Sequence, residues 1–263
     1  MFEEEKPVTY FVKKDSVVRK IWGNSEVILF IFAGAAAEFA LNKAVDWLYF
    51  TGKLPADPLK RLFSTVSYAH HIVFAPRANA LKAIDSINAI HKAVEQQRGE
   101  GIPDWAYRDV LYMLIDYSIR AYELLDKPLT SAEKEEVFDV FYRMGLRMKL
   151  TQLPADYHQW EQQRKQALKE NLIKSRFTND LYQQYRKHLG ALRYSLLKQV
   201  QHLLVPYEVK KLLNPGSALL AKPMIVLYKF SAYVRLKPLI KSALLPEEYK
   251  EEIAALDRQV SPP

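Results

Sequence analysis

The sequence predicts an all-α fold, a single globular domain built from many helices. Glycine is scarce, with 8 among 263 residues, and the polar–apolar alternation of half-buried strands is hard to find. Residues that cap helices recur along the chain instead. Hydrophobic residues make up 49% and charged residues 26%, which is the composition of a globular protein. The chain is long enough to bury one large core, so we assign residues 1–263 to one domain.

The first two predicted helices begin at serines that suit helix N-termini. Ser16 can cap a short helix that starts at the next residue. Ser25 can cap a second helix, which we expect to run to about Phe50. Residues 27–41 are apolar nearly all round, and this predicts that the second helix lies in the core.

Proline, glycine and capping residues predict the remaining boundaries. Pro58 and Pro76 suit first turns, Gly99 suits a left-handed helix end, and Thr130 with Glu133 forms a capping box. The predicted helices span residues 58–74, 76–97, 104–125, 131–152, 157–175 and 178–204, and basic amphipathic helices follow at residues 209–245.

The composition excludes several kinds of site. The chain has no cysteine, so it has no disulfide, thiolate zinc site, iron–sulfur cluster or covalently attached haem. The apolar run at residues 27–37 is shorter than the roughly 20 residues that span a bilayer. The acidic start at residues 3–5 is the reverse of a secretory signal, and we expect a cytoplasmic protein.

The net charge of +8 is concentrated in one third of the chain. Residues 159–245 contain 16 Lys or Arg against 4 Asp or Glu. Such a surplus favours phosphates or anionic lipid as partners, or forms a solvated basic face. Residues 209–245 carry seven basic residues and no acid, which fits either a peripheral membrane contact or packing on the domain. Nucleic acid is a weak candidate because the charge is dispersed and no reader motif accompanies it.

His91 is the histidine that helical spacing places on an apolar face. Ala80, Ile84, Ile87 and Val94 precede or follow it at steps of three and four. A buried imidazole needs partners for both ring nitrogens. Two interpretations remain open at this point, a hydrogen-bonded core histidine and an axial ligand of a haem iron.

Two further groups of residues are candidates for chemistry. Arg61 and Thr65 share one helix face, where they could hold a haem propionate and a ligand of the iron, or be a surface arginine and a helix-bonded threonine. Glu38 lies among alanines, and Asp116 lies in a similar apolar setting. Each is expected to be a base or half of a buried ion pair with Arg61 or Arg120.

The other histidines are weaker candidates. Only one of His70 and His71 can face a given pocket, because adjacent helical residues point about 100° apart. His158 and Glu161 reverse the order of a di-iron Glu-x-x-His pair. His188 and His202 are expected at a surface or an interface.

Several short motifs together resemble a known family. These are Arg61-Leu62-Phe63-Ser64-Thr65, then His91 with Val94, Arg98-Gly99, Pro128-Leu129-Thr130 with Glu133, and Leu153-Pro154. In this order they resemble the catalytic domain shared by rubber oxygenase (latex-clearing protein) and the MpaB-type oxygenases. The resemblance covers roughly residues 16–168, the oxygenase-like core.

The resemblance implies an all-helical domain, globin-like in its helix packing, that binds non-covalent haem b between helices. It implies that His91 is the proximal iron ligand and that Arg61 and Thr65 lie near the haem. Ser64 stands where rubber oxygenase has a lysine, so a lysine-capped iron is not carried over. Glu38 or Asp46 corresponds to the distal acid of the family.

The resemblance implies a haem b-dependent oxygenase that uses dioxygen on a hydrophobic, unsaturated substrate, for which an isoprenoid is one candidate. The alternative is a non-catalytic helical protein that binds lipid, pigment or haem at membrane surfaces. A Soret band would separate a haem protein from a protein that binds only lipid or pigment.

Overall fold

A computed structural model describes residues 8–52 and 57–214, except for the side chains of residues 58–64. Most of the basic segment predicted at residues 209–245 lies outside these described residues. Within the described ranges the chain forms ten helices and no strand, so the predicted all-α fold is confirmed. The helices are α1 (Val17–Trp22), α2 (Ser25–Phe39), α3 (Val45–Phe50), α4 (Pro58–Phe74), α5 (Arg77–Arg98), α6 (Asp104–Leu125), α7 (Ser131–Arg147), α8 (Tyr157–Glu170), α9 (Arg176–Leu204) and α10 (Tyr207–Leu213).

The core is centred on α2 and α6, the pair of helices with the most extensive mutual contact. Gly34 of α2 lies directly against the ring of Tyr117, since a Cβ at Gly34 would be 2.3 Å from Tyr117 Cδ1. The missing side chain therefore lets the two helices approach closely. Helices α1, α7, α8, α9 and α10 pack around this pair. The prediction that α2 lies in the core is confirmed, with Ile28 and Ile31 at most 1% exposed.

The predicted second helix is wrong in its length. It ends at Phe39, and α3 begins only at Val45. The side chain of Asn42 accounts for the break, because its Oδ1 accepts a 2.8 Å hydrogen bond from the Ala44 amide. The neighbouring Lys43 amide donates to the carbonyl of Asn171 at 2.9 Å. Local capping and long-range backbone bonds together outweigh the apolar pattern, which continues unbroken through this region.

The remaining helix boundaries follow the sequence closely, with three differences. Asn24, not Ser25, caps α2. The helix predicted over residues 131–152 ends at Arg147. The helix predicted over residues 157–175 ends at Glu170, and the Ile173 amide beyond it donates to the Leu41 carbonyl in the segment that follows α2. The capping box of Thr130 and Glu133 is present. In α9 the backbone departs from helical geometry at Gly190, with φ 72° and ψ 172°, and the helix kinks there.

Helices α4 and α5 form the helical hairpin that carries most of the predicted site. Only residues 75 and 76 connect them, so the two helices are antiparallel neighbours. Pro76 is the N-cap of α5, and Gly99 ends it in the predicted left-handed conformation with φ 75°. Among the described residues, no helix has the combination of length and apolar character that crossing a bilayer requires.

Candidate functional site

His91 lies between α5 and α6, with its ring centroid 5.0 Å from that of Tyr107. The face of α5 that the spacing predicts to be apolar packs against the rest of the protein. Ile84 is fully buried, Ile87 packs on the main core, and Val94 packs on a small cluster around Trp47. His91 itself is only partly buried, so it is more accessible than a core histidine. This position allows the imidazole to meet a ligand bound at the helix interface.

Arg61 lies at the same level of the α4–α5 hairpin as His91. Each residue is about 20 Å from the connection, measured along its own helix at 1.5 Å per residue. Thr65 is about one turn closer to the connection and is partly buried. The side chains of Arg61 and Ser64 lie outside the description. The backbone thus brings the two motifs, 30 residues apart in sequence, to one level of one hairpin.

Arg98 holds the C-terminal end of α5 against α3. Its Nη2 donates to Asp46 Oδ2 at 2.8 Å, and its guanidinium lies 3.9 Å from the centroid of the Trp47 ring. An arginine face on an indole adds a cation–π attraction to the ion pair. Asp46, one of the two candidates for the distal acid, is therefore paired with the arginine of the Arg98-Gly99 motif.

Glu38, the other candidate, belongs to a buried ion network that consists of Glu38, Asp116, Tyr117, Arg120 and Arg164. Both Glu38 oxygens accept hydrogen bonds from Arg164, each at 2.5 Å, and Tyr117 donates to Glu38 Oε2 at 2.9 Å. Arg164 also donates to Asp116 Oδ2, at 3.1 Å from Nη2. Asp116 Oδ1 accepts a 2.5 Å bond from Arg120. The expected ion pair of Asp116 with Arg120 is confirmed, and the partner of Glu38 is Arg164.

The electrostatics of this network favour the charged state of Arg164. Burial alone would lower the pKa of Arg164, but the charges of Glu38 and Asp116 and the Glu38 hydrogen bond raise it overall. Burial, followed by the Glu38 charge, raises the pKa of Tyr117 well above its usual value. Glu38 thus lies between a guanidinium and a phenol that both donate hydrogen bonds to it.

Glu38 and His91 face different levels of α6. The Glu38 contact is at Tyr117 and the His91 contact is at Tyr107. Ten helical residues correspond to about 15 Å along the axis of α6. His91 and Arg61 are thus at similar distances along their helices from the α4–α5 connection, and Glu38 belongs to a separate buried group.

Arg164 is the residue of this region that the sequence analysis missed. It lies in a mostly polar helix, α8, but Trp160 and Leu168 flank it four residues away on each side, and all three are buried. That i, i+4, i+8 spacing of two apolar residues around an arginine is the pattern that could have identified a buried cation.

Three of the other histidines behave as their positions predict. His70 is buried against Phe74, with ring centroids 5.0 Å apart, whereas His71 is exposed and bonded to the Ser67 carbonyl. Only one of the adjacent pair faces inward, which confirms that prediction. His158 is exposed and bonded to Gln162, and the described residues contain no group of three or more His, Cys, Asp or Glu side chains placed to bind a metal ion.

Two open clefts occur elsewhere on the described surface, and neither has His91 in its lining. One, of about 500 Å³, lies between α6 and α8 beside Asp109. Burial raises the pKa of Asp109, although hydrogen bonds from Asn42 and Asn171 oppose the shift. The other, of about 490 Å³, is basic and lies where α6, α8 and α10 meet.

The fold and the site together define a class, an all-helical domain in which the partly buried imidazole of His91 contacts Tyr107 of another helix. Comparison with family models identifies the family. The model for the "ER-bound oxygenase mpaB/B'/Rubber oxygenase, catalytic domain" matches residues 19–250, so the chain belongs to this family. The match continues well beyond residue 168, where the resemblance ended. Neither the curated proteins nor the solved structures include a significant match to the chain.

The donor chemistry at the α4–α5 hairpin fits a haem b. A haem iron needs one axial side-chain ligand, and a partly buried imidazole beside an aromatic ring can provide it. A haem propionate needs a cation near the edge of the haem. Arg61 is a candidate, because its distance from the α4–α5 connection is similar to that of His91.

Proposed function

We propose that this protein is a haem b-dependent oxygenase that uses dioxygen to oxidise a hydrophobic, unsaturated substrate, for which an isoprenoid is one candidate. Membership of the oxygenase family supports the reaction class. The observation that carries the cofactor assignment is the position of His91, partly buried between α5 and α6 and level with Arg61. The haem would lie between helices packed in a globin-like manner.

In this proposal each residue of the hairpin has a separate role. His91 would hold the haem iron, and its neighbours Ile87 and Val94 would keep that side of the imidazole apolar. Arg61 pairs with a propionate, and Thr65 offers a hydroxyl on the same face of α4. Bound haem supplies an iron that binds and activates dioxygen. The apolar packing around α5 limits the access of water to the reacting groups.

Glu38 has a catalytic role in this proposal only as the distal acid of the family. Its paired carboxylate is held in one orientation by Arg164 and Tyr117, and such a group can accept a proton only at the expense of those bonds. Glu38→Gln should therefore alter turnover more than haem content if Glu38 acts on the substrate.

We propose a cytoplasmic location with peripheral membrane contact through residues 209–245.

Absorption spectroscopy tests the cofactor assignment directly. Wild-type protein purified from cells supplied with a haem precursor should show a Soret band with stoichiometric haem. His91→Ala should lose most of this band while it retains the helical circular dichroism of the wild type. His71→Ala is the matched control, because His71 is an exposed histidine of the neighbouring helix, and its spectrum should not change.

Two results would contradict the proposal. An unchanged haem spectrum in His91→Ala would remove His91 as the ligand. Colourless wild-type protein would favour the non-catalytic alternative, a helical protein that binds lipid or pigment.

A further inference from the structure

The cleft where α6, α8 and α10 meet, which we call the basic cleft, has an unusual concentration of positive charge. Its volume is about 490 Å³. Four of its lining residues are cations and one is an acid. The lining consists of Arg120, Lys165, Leu168, Lys169, Val205, Pro206, Tyr207, Glu208 and Lys210.

Within residues 8–52 and 57–214, three of the four cations have no carboxylate as counter-ion. Lys165 and Lys169 lie one turn apart on the exposed side of α8, and Lys210 is partly buried on α10. Among the described residues, none of the three has a carboxylate oxygen within 4.0 Å, whereas Arg120 is paired. Cations from two helices therefore converge on one concave surface without neutralisation.

Arg120 gives the basic cleft a fixed donor. Its Nε is bonded to Asp116 at 2.5 Å and its Nη1 approaches the Leu204 carbonyl at 3.4 Å. A guanidinium anchored on one edge loses little conformational freedom when its other N–H groups bind an anion. The floor beside it is apolar, since Leu168, Val205 and Pro206 are buried.

The like charges of the basic cleft disfavour one another. Burial and then the Arg120 charge lower the pKa of Lys210. Burial and then the Lys210 charge lower the pKa of His202, which lies one turn before the cleft on α9. A bound anion would offset the repulsion among Arg120, Lys210 and His202, and the carboxylate of Glu208 is the single acidic group of the lining.

We propose that the basic cleft binds a phosphate group, carried by a small phosphorylated molecule or by a lipid headgroup. Arg120 and Lys210 would donate from the inner side, and Lys165 and Lys169 from the rim. The apolar floor and Tyr207, which is 73% exposed, would contact the organic part next to the phosphate. This site is separate from the proposed haem site and does not depend on it.

Titration of the full-length protein with inorganic phosphate, against chloride at equal ionic strength, tests the site. Calorimetry should measure the affinity for phosphate, and NMR should follow the titration of the His202 imidazole with and without phosphate. We expect phosphate to raise the His202 pKa. Lys210→Gln and Lys165→Gln/Lys169→Gln should each weaken phosphate binding about tenfold or more. Lys187→Gln, an exposed lysine of α9 outside the cleft, should leave it unchanged.

Vesicles separate the two sources of phosphate. Vesicles of phosphatidylcholine with and without phosphatidic acid should be sedimented with each variant. If the wild type binds free phosphate and Lys210→Gln weakens that binding, the result supports a small phosphorylated ligand. Binding only to phosphatidic acid vesicles, weakened by the same substitution, supports a lipid headgroup. The proposal is overturned if wild type binds neither probe, or if Lys187→Gln weakens binding as much as Lys210→Gln.

Discussion

The buried charges show how single residues in this protein depend on one another. Arg164 is 4% exposed, yet it carries a charge that Glu38 and Asp116 balance. A buried ion pair adds little stability compared with apolar residues of the same shape. Removal of one partner has a much larger effect, because it leaves the other charge buried without compensation.

Arg164→Met tests this dependence. It should lower the free energy of unfolding by about 3–5 kcal/mol, because the Glu38 carboxylate then stays buried with Tyr117 as its remaining described partner. Arg147→Met is the matched control, since Arg147 also makes a two-bond contact with a carboxylate, Asp85, but both side chains are about half exposed. That loss should be much smaller, because solvent screens an exposed ion pair. Urea unfolding gives both values, and equal losses would contradict the argument.

At the residue scale, the sequence identified the chemistry of Glu38 but not its partner. A carboxylate among alanines predicts a buried acid with a counter-charge, and both features are present. The named partner, Arg61 or Arg120, was wrong for Glu38 because Arg164 is 126 residues away in sequence. Helical periodicity reports faces within one helix and carries no information on which helices are neighbours.

The same limit applies to His91. Spacing alone placed it on an inward face, and the structure agrees for Ile84 and Ile87. Its partial exposure is shared by the rest of α5 after Ile84, where no residue is fully buried. The Tyr107 contact across the helix interface has no counterpart in the sequence pattern.

At the scale of elements, capping residues predicted where helices start better than apolar patterns predicted where they stop. The N-cap at Ser16 and the capping box at Thr130 are present as predicted. The run that should have continued to Phe50 is interrupted because Asn42 bonds the backbone of Ala44 and the side chain of Asp109. A polar residue with such tertiary bonds ends a helix within an otherwise helical pattern.

The contact of α2 with α6 leads to a second prediction. Gly34→Ala would place a methyl group 2.3 Å from Tyr117 Cδ1 and 2.4 Å from Cε1. The ring cannot move freely because its hydroxyl is bonded to Glu38. The two helices must therefore separate, and we expect a loss of about 1–3 kcal/mol or more in unfolding free energy. This loss should appear despite the better helix propensity of alanine.

Thermal unfolding of Gly34→Ala measures this loss, and Gly101→Ala is the control. A Cβ at Gly101 would meet nothing within 4 Å, and Gly101 is not among the described glycines with positive φ. Its melting temperature should stay close to that of the wild type. A Gly34→Ala protein that melts as the wild type does would show that α2 and α6 are packed less closely than described.

At the scale of the whole molecule, α6 contacts both the region around His91 and the buried ion network. Its N-terminal half carries Tyr107 and Ala106, next to His91 and the Trp47 cluster. Its central part carries Asp116, Tyr117 and the ion network. A single helix that contributes to both regions makes their folding interdependent, although the chain is larger than the domains that usually unfold in one step.

We therefore expect one cooperative unfolding transition for the described domain. Tryptophan fluorescence reports both regions, because Trp22 and Trp160 lie in the main core and Trp47 and Trp105 lie near the His91 end. Far-ultraviolet circular dichroism reports all the helices. The two signals should change with the same midpoint and slope in urea, since loss of α6 removes packing from both clusters. Separate midpoints would show that the His91 end unfolds independently, and substitutions in the ion network would then leave haem binding unaffected.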